Sequence, residues 1–357
     1  ISFTFWSLSI KFVVGMTLAL ILNSRLPLRG LLSGIMLLPW IVPEIVTALA
    51  WKSIYDPLFG GLNPILQSIG VIDRPLGWLS DPHMAMGSII SVNVWKGIPF
   101  FVLLLLAGLK AVDKEQLEAA EIDGANVVQR FRHVTLPSMR YVIVVTLLLS
   151  FISTFNQFGL PFLMTGGGPS GATKLYAILA YEKAIGSLQY GPGIAIAFSV
   201  APLMAVLIWL LARFMRHDDK RDATSNAKPG IVDRIMAAGG RGVSLVVDVL
   251  FWPVQVVYAG LEWVIRRLRQ ASGRRAEEPI LAPASRESGG VVARLAVLVP
   301  FLVFVLFPFF WIIITSLKST SQISERRSIF WPEPATLEQY NHLLTGTGFL
   351  TWAMNSI

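Results

Sequence analysis

Stretches of about twenty apolar residues, the length that crosses roughly 30 Å of hydrocarbon, recur at 3–22, 31–51, 88–109, 141–163, 192–213 and 294–317. Lipid offers backbone polar groups no partner, so each run is predicted to be an α-helix. Between the third and fourth runs the pattern changes. Residues 113–137, DKEQLEAAEIDGANVVQRFRHVTLP, mix charged and small positions and belong in water. Asp113 is placed to cap a helix, with Gln116 three positions on in capping-box spacing. That helix runs through Leu117, Glu118, Ala119, Ala120 and Ile122, and Gly124 permits a tight turn. Val127, Val128, Phe131 and Val134 then form an apolar stripe on a second short helix. Pro137 is expected to end it.

Charge orients these elements. Loop 23–30 carries Arg25 and Arg29, loop 110–140 carries Lys110, Lys114, Arg130, Arg132 and Arg140, and the segment after the fifth run carries Arg213, Arg216, Lys220 and Arg221. Loop 53–86 has only Arg74, and loop 164–190 has only Lys174 and Lys183. The positive-inside bias puts the first three in the cytoplasm, and the hairpin with them. Residues 218–290 read as a cytoplasmic linker. Within it, 243–265 places Asp248, Gln255 and Glu262 seven apart on one helix face, between Arg241 and Arg266. That pattern predicts a helix lying in the membrane interface; a true crossing would invert the last span.

Only 15% of the 357 residues are charged, against about 25% in soluble domains, which agrees with a polytopic membrane protein. The net charge of +8 fits a cytoplasmic face beside anionic lipid better than nucleic acid. The absence of cysteine excludes disulfides and thiolate metal sites. His83, His133, His217 and His342 all lie outside the apolar runs, which leaves no paired haem ligands in a span. No nucleophile–base set is evident, so neither an enzyme nor a cofactor is expected. GGGPSGATK at 166–174 imitates a phosphate loop, but Lys174 is not preceded by Gly and Leu175 follows it.

Ionisable residues within spans are functional candidates. Lys11, Glu44 and Lys96 qualify, at roughly 17, 20 and 20 Å from their cytoplasmic ends by helical rise, so Glu44 is expected to pair with one of the lysines. The alternative is lysines that reach outward. Asn93, Thr154, Asn156 and Gln157 are polar in otherwise apolar helices and are candidates for a solute path, with Phe155 and Phe158 beside the amides. Interhelical hydrogen bonding is the competing use of the same groups.

Glu118-Ala119-Ala120, then Gly124, Val134 and Leu136-Pro137, resemble the EAA signature of binding-protein-dependent ABC importer permeases. Val134 stands where that pattern has isoleucine. The fuller string EAAEIDGANVVQRFRHVTLP, together with LLPWIVPEIVTALAWKSIYDPLFGGLNPIL and SFISTFNQFGLPFLMTGGGPSGATKL, resembles the carbohydrate, maltose-type branch. The resemblance spans residues 1–217 and lacks only the family's first span. It implies an all-α integral membrane fold, a polytopic helix bundle with a cytoplasmic coupling-helix hairpin. Glu118, Ala119, Ala120, Asp123 and Gly124 would dock on a cytoplasmic ATPase dimer, with Leu136 and Pro137 anchoring the exit from the hairpin. A solute-binding protein outside, the bacterial inner membrane and ATP hydrolysis by a partner chain follow from the same resemblance. Residues 291–357, beginning with the span at 294–317, resemble the start of a second permease half, which implies two fused halves. Ile1 and Ile357 both lie in or beside apolar runs, so the sequence is expected to be an internal piece of a longer protein. The competing readings are a permease for a non-sugar solute such as a polyamine, and a non-transporting membrane scaffold.

Overall fold

The computed structural model describes residues 1–24, 26–218, 288–323, 325 and 330–354. Among these, every regular element is helical. Most of the linker, including the interfacial helix expected over 243–265, lies outside the described residues.

The first helix, α1 (Ser2–Asn23), is followed by α2 (Arg29–Ile41), α3 (Glu44–Ile54), a short α4 (Leu62–Ser68) and the long α5 (Pro82–Ala111). Then come α6 (Lys114–Ile122), α7 (Val127–Arg130), a π-helical turn (Phe131–Thr135) and α8 (Leu136–Phe155). The rest comprises α9 (Gly159–Thr165), α10 (Tyr176–Tyr181), α11 (Tyr190–Phe198), α12 (Ala201–Asp218) and α13 (Ser288–Ser316), with short helices beyond. Among the described residues, Ser2–Asn23, Pro82–Ala111, Phe131–Phe155, Tyr190–Trp209 and Arg294–Ser316 are each long and apolar enough to cross a membrane, and α2 with α3, bent by 95° at their break, are so as a pair. The chain is a multi-pass membrane protein.

Three runs predicted as continuous helices are interrupted. The run 31–51 breaks at Val42, whose extended ψ of 129° is what a following proline imposes. The run 141–163 breaks between Phe155 and Gly159, and 192–213 breaks between Phe198 and Ala201. The opposite correction applies to Pro137, which does not end its helix. It sits in the first turn of α8, and the preceding π turn widens the ladder so that Leu136 N–H reaches Phe131 O. This accommodates a residue that can neither donate nor tolerate a close carbonyl.

The bundle is centred on α1 and α5, whose apolar windows are 61% and 67% buried, whereas Tyr190–Trp209 is only 6% buried. The α11–α12 face is therefore left to lipid or to another protein. Helices in lipid gain little from apolar burial and depend on close packing. Small residues supply it here: Gly15 lies against Phe101, and Gly97 lies under Lys11. These contacts, four residues apart on each helix, show α1 and α5 running parallel. Near the hairpin end, Phe12, Met16, Phe101, Leu105, Leu109, Met139 and Ile143 form one core. Toward the other end, α13 packs on α2, α3 and α5. Trp95 Nε1 donates to Val305 O at 3.2 Å and Trp311 Nε1 to Ser53 Oγ at 3.1 Å.

Candidate functional site

The hairpin joins α5 to α8 and has a buried foot and an exposed tip. Its entrance is the Asp113 cap, which accepts from Glu115 N–H at 2.9 Å, while Gln116 is exposed. The first helix ends in a Schellman arrangement: Gly124 N–H bonds Glu121 O and Ala125 N–H bonds Ala120 O, both at 3.0 Å. Gly124 takes the left-handed position with φ +77°. The second helix opens with a reciprocal cap, Gln129 N–H to Asn126 Oδ1 at 2.9 Å and Asn126 N–H to Gln129 Oε1 at 2.8 Å. This is a capping box, and its Asn-x-x-Gln signal is local to the sequence. Arg130 pairs with Glu121 across the turn.

At the foot, Phe131 is buried and packs with Leu117 and Leu136 into the core near α1 and α5. At the tip, Glu118, Ala119, Glu121, Ile122, Asp123 and Gly124 are exposed, Ala120 is half-buried and Pro137 is exposed. Ile122 is 86% exposed at the end of α6. A notch of about 390 Å³ opens between the two helices, lined by Ala120, Asp123, Gly124, Gln129, Arg130 and His133 among others. From Val127 the helix continues through the π turn to Phe155 without a break.

The intramembrane candidates gather elsewhere. The expected ion pair of Glu44 with a lysine is not formed. Among the described residues the ion pairs within 4 Å are Arg130–Glu121 and Lys174–Glu182. Lys11, 4% exposed, donates instead to Thr154 Oγ1 at 3.1 Å. Lys96 Nζ donates to Val42 O, the carbonyl freed where α2 stops. Glu44 Oε1 accepts from the Gln157 side-chain amide and, at 2.6 Å, from Leu160 N–H. Lys96 and Glu44 meet backbone groups that the helix breaks leave unpaired in lipid, whereas Lys11 takes a side-chain hydroxyl within α8.

Asn93 and Thr154 are buried at 6% and 2% exposure, within helix packing, and the Asn93 amide oxygen has no hydrogen-bond partner among the described residues. Asn156 and Gln157 occupy the break after α8. Asn156 is exposed and its Oδ1 accepts from Tyr176 O–H, while burial pushes the Tyr176 phenol above its ordinary pKa. Aromatic rings flank the break: Phe155 stacks on Tyr176 at 5.2 Å, and Phe158 on Phe162 at 4.9 Å and near Tyr181 at 5.3 Å. Tyr176, Tyr181 and Phe162 escaped the sequence reading because only the fold returns 176–181 to this point. Outside the break, Lys174 of the glycine-rich loop bonds Glu182 at 2.7 Å.

The family model described as binding-protein-dependent transport system inner membrane component matches residues 11–217. The trehalose/maltose transport system permease protein MalF of Thermococcus litoralis is 41% identical over 218 residues, 60% of this chain and 73% of that protein. The sulfoquinovosyl glycerol transport system permease protein SmoG of Agrobacterium fabrum is 30% identical, over 58% of this chain and 66% of its own length. The maltose/maltodextrin permease protein MalF of Vibrio vulnificus is 32% identical, and the match spans 43% of that longer protein. Among solved structures, a bacterial alginate ABC transporter crystallised with an alginate pentasaccharide-bound periplasmic protein aligns with a TM-score of 0.54 at 22% identity, covering 61% of this chain and 76% of that one. That likeness shows a shared fold.

Proposed function

This chain belongs to the family of binding-protein-dependent transport system inner membrane components, and on that premise we propose that it is the permease of an ATP-driven importer carrying a carbohydrate. Relatives named for maltose, trehalose and sulfoquinovosyl glycerol transport support the solute class. The observation that carries the reading is the hairpin: an exposed, tightly capped tip on a buried foot, continuous with a span.

A cytoplasmic ATPase dimer would grip Glu118, Ala119, Ala120, Asp123 and Gly124, with Leu136 and Pro137 holding the return into the bundle. An exposed amphipathic element of this size suits insertion into a partner's cleft. Because Val127–Phe155 is one helical rod, a displacement at the tip reaches the break at Asn156–Phe158, some 29 residues and about 43 Å of helical rise away. Asn156 and Gln157 would meet the solute there. Amide groups bond hydroxyls, and the neighbouring aromatic faces pack on sugar rings. A solute-binding protein would deliver from outside, the bacterial inner membrane would hold the chain, and the residues from 291 on would begin a second permease half. Hydrolysis would belong to the ATPase.

The test is ATP-dependent uptake of maltose and trehalose by proteoliposomes holding the full-length protein with its ATPase and binding protein. Uptake that needs both partners, together with loss of ATPase co-purification in Gly124→Pro, is the expected result. ATPase retention by Gly124→Pro overturns the coupling role, and uptake of a polyamine but neither sugar overturns the solute class.

A further inference from the structure

Of the three interrupted runs, two have their breaks joined by Glu44, and Lys96 fastens the first of these breaks to α5. The α2–α3 break lies at Val42–Pro43 and the α8–α9 break at Asn156–Phe158. Glu44, the first residue of α3, reaches across 113 positions of sequence to the second break, where one carboxylate oxygen accepts from Gln157 Nε2 and a second bond comes from Leu160 N–H. Lys96, on the unbroken α5, donates to Val42 O at the first break. Gly159 is the close-approach point: a Cβ there would lie 2.8 Å from Glu44 Oε1. Each charge meets a backbone group it complements, the acid at the Leu160 N–H and the base at the Val42 carbonyl. In a medium without water these are the groups whose neglect is costly, so their placement is strongly specified.

We propose that Glu44 and Lys96 are positioning residues for transport, locking the two helix breaks into one unit so that the segment bearing Asn156 and Gln157 moves with α3. The proposal rests on the importer reading for its consequence and on the geometry above for its mechanism. A helix break left loose would let the tip-to-break rod of α8 bend uselessly at Asn156. Tied to α3 and, through Val42, to α5, the same motion must carry α9 with it. Gln157 thus has two duties: one amide group is spent on Glu44 while its carbonyl is left for solute.

These 357 residues hold no cysteine, and in a full-length complex cleared of any other cysteine, spin labels can be introduced at Leu49→Cys on α3 and Leu163→Cys on α9. The wild-type background should give one narrow distance distribution, and Glu44→Ala or Gly159→Val a broad one. Glu44→Gln keeps an acceptor oxygen and should preserve the narrow distribution. In uptake assays with maltose and trehalose, Glu44→Ala loses two charge-assisted hydrogen bonds and should lower kcat by at least about tenfold. KM for the loaded binding protein should hold, ATP hydrolysis should persist, and Glu44→Gln should recover most of the rate. An unchanged label distribution in Glu44→Ala, or Glu44→Gln as impaired as Glu44→Ala, overturns the proposal. If the label distances respond but no variant, wild type included, takes up either sugar, the lock stands and the carbohydrate reading fails.

Discussion

Gly124→Ala isolates the backbone requirement of the hairpin. A Cβ at this position meets nothing within 4 Å, so the substitution makes no clash; its cost comes from φ +77° alone. For an L-residue the left-handed conformation costs about 1–2 kcal/mol, which lowers the population of the docked hairpin geometry by a factor of about 5 to 30. Asparagine adopts this conformation more readily than alanine, and a β-branched residue least readily. Affinity for the ATPase should therefore fall in the order Gly, Asn, Ala, Val. Surface-immobilised nanodiscs carrying each variant, titrated with purified ATPase, give the affinities. Hydrogen exchange at the amides of Gly124 and Ala125, which close the turn on Glu121 O and Ala120 O, gives the local opening constants. The two series should run in parallel. If Ala binds as tightly as Gly while its amides exchange faster, the turn is not part of the docking surface and the coupling argument is wrong. If Asn is worse than Ala, side-chain volume at the interface and not φ controls binding.

The bundle makes further predictions. Gly15→Leu should weaken the α1–α5 crossing by about 1–3 kcal/mol, because even a Cβ would sit 2.5 Å from that of Phe101; a lowered thermal midpoint in detergent checks it. Asn63, 2% exposed, bonds Pro57 O, Leu76 O, Leu76 N–H and Trp78 Nε1. Asn63→Ala should leave several of these unpaired at about 1–3 kcal/mol each and open loop 56–81 to protease added from outside. Trp95→Phe removes the bond to Val305 O and should loosen α13 by about 0.6 kcal/mol, the usual value within membranes, read as slower cysteine cross-linking between α5 and α13.

The hairpin was legible because its determinants are local. Asp113, Gly124 and the Asn126–Gln129 pair act within a few residues, so capping and turn chemistry written in the chain reappear as hydrogen bonds. The notch between its helices was not legible, since it needs Glu121 and Arg130 brought together across the turn. Lys11, Glu44 and Lys96 could be singled out as costly in lipid, but their partners could not. Lys96 and Glu44 met backbone groups freed where the helices break, and Lys11 met the Thr154 hydroxyl brought beside it by α8.

The breaks themselves mark the boundary between the two kinds of information. Apolar run length, a property of neighbouring residues, determined that the chain crosses the membrane as helices and roughly where. Proline alone did not determine where they bend: Pro39, Pro99, Pro300 and Pro308 lie inside helices, whereas Pro43 follows a break. A lost backbone hydrogen bond in lipid is tolerable only where some other group takes its place. Lys96 stands ready at Val42 because α5 packs beside α2, and that juxtaposition is a tertiary fact.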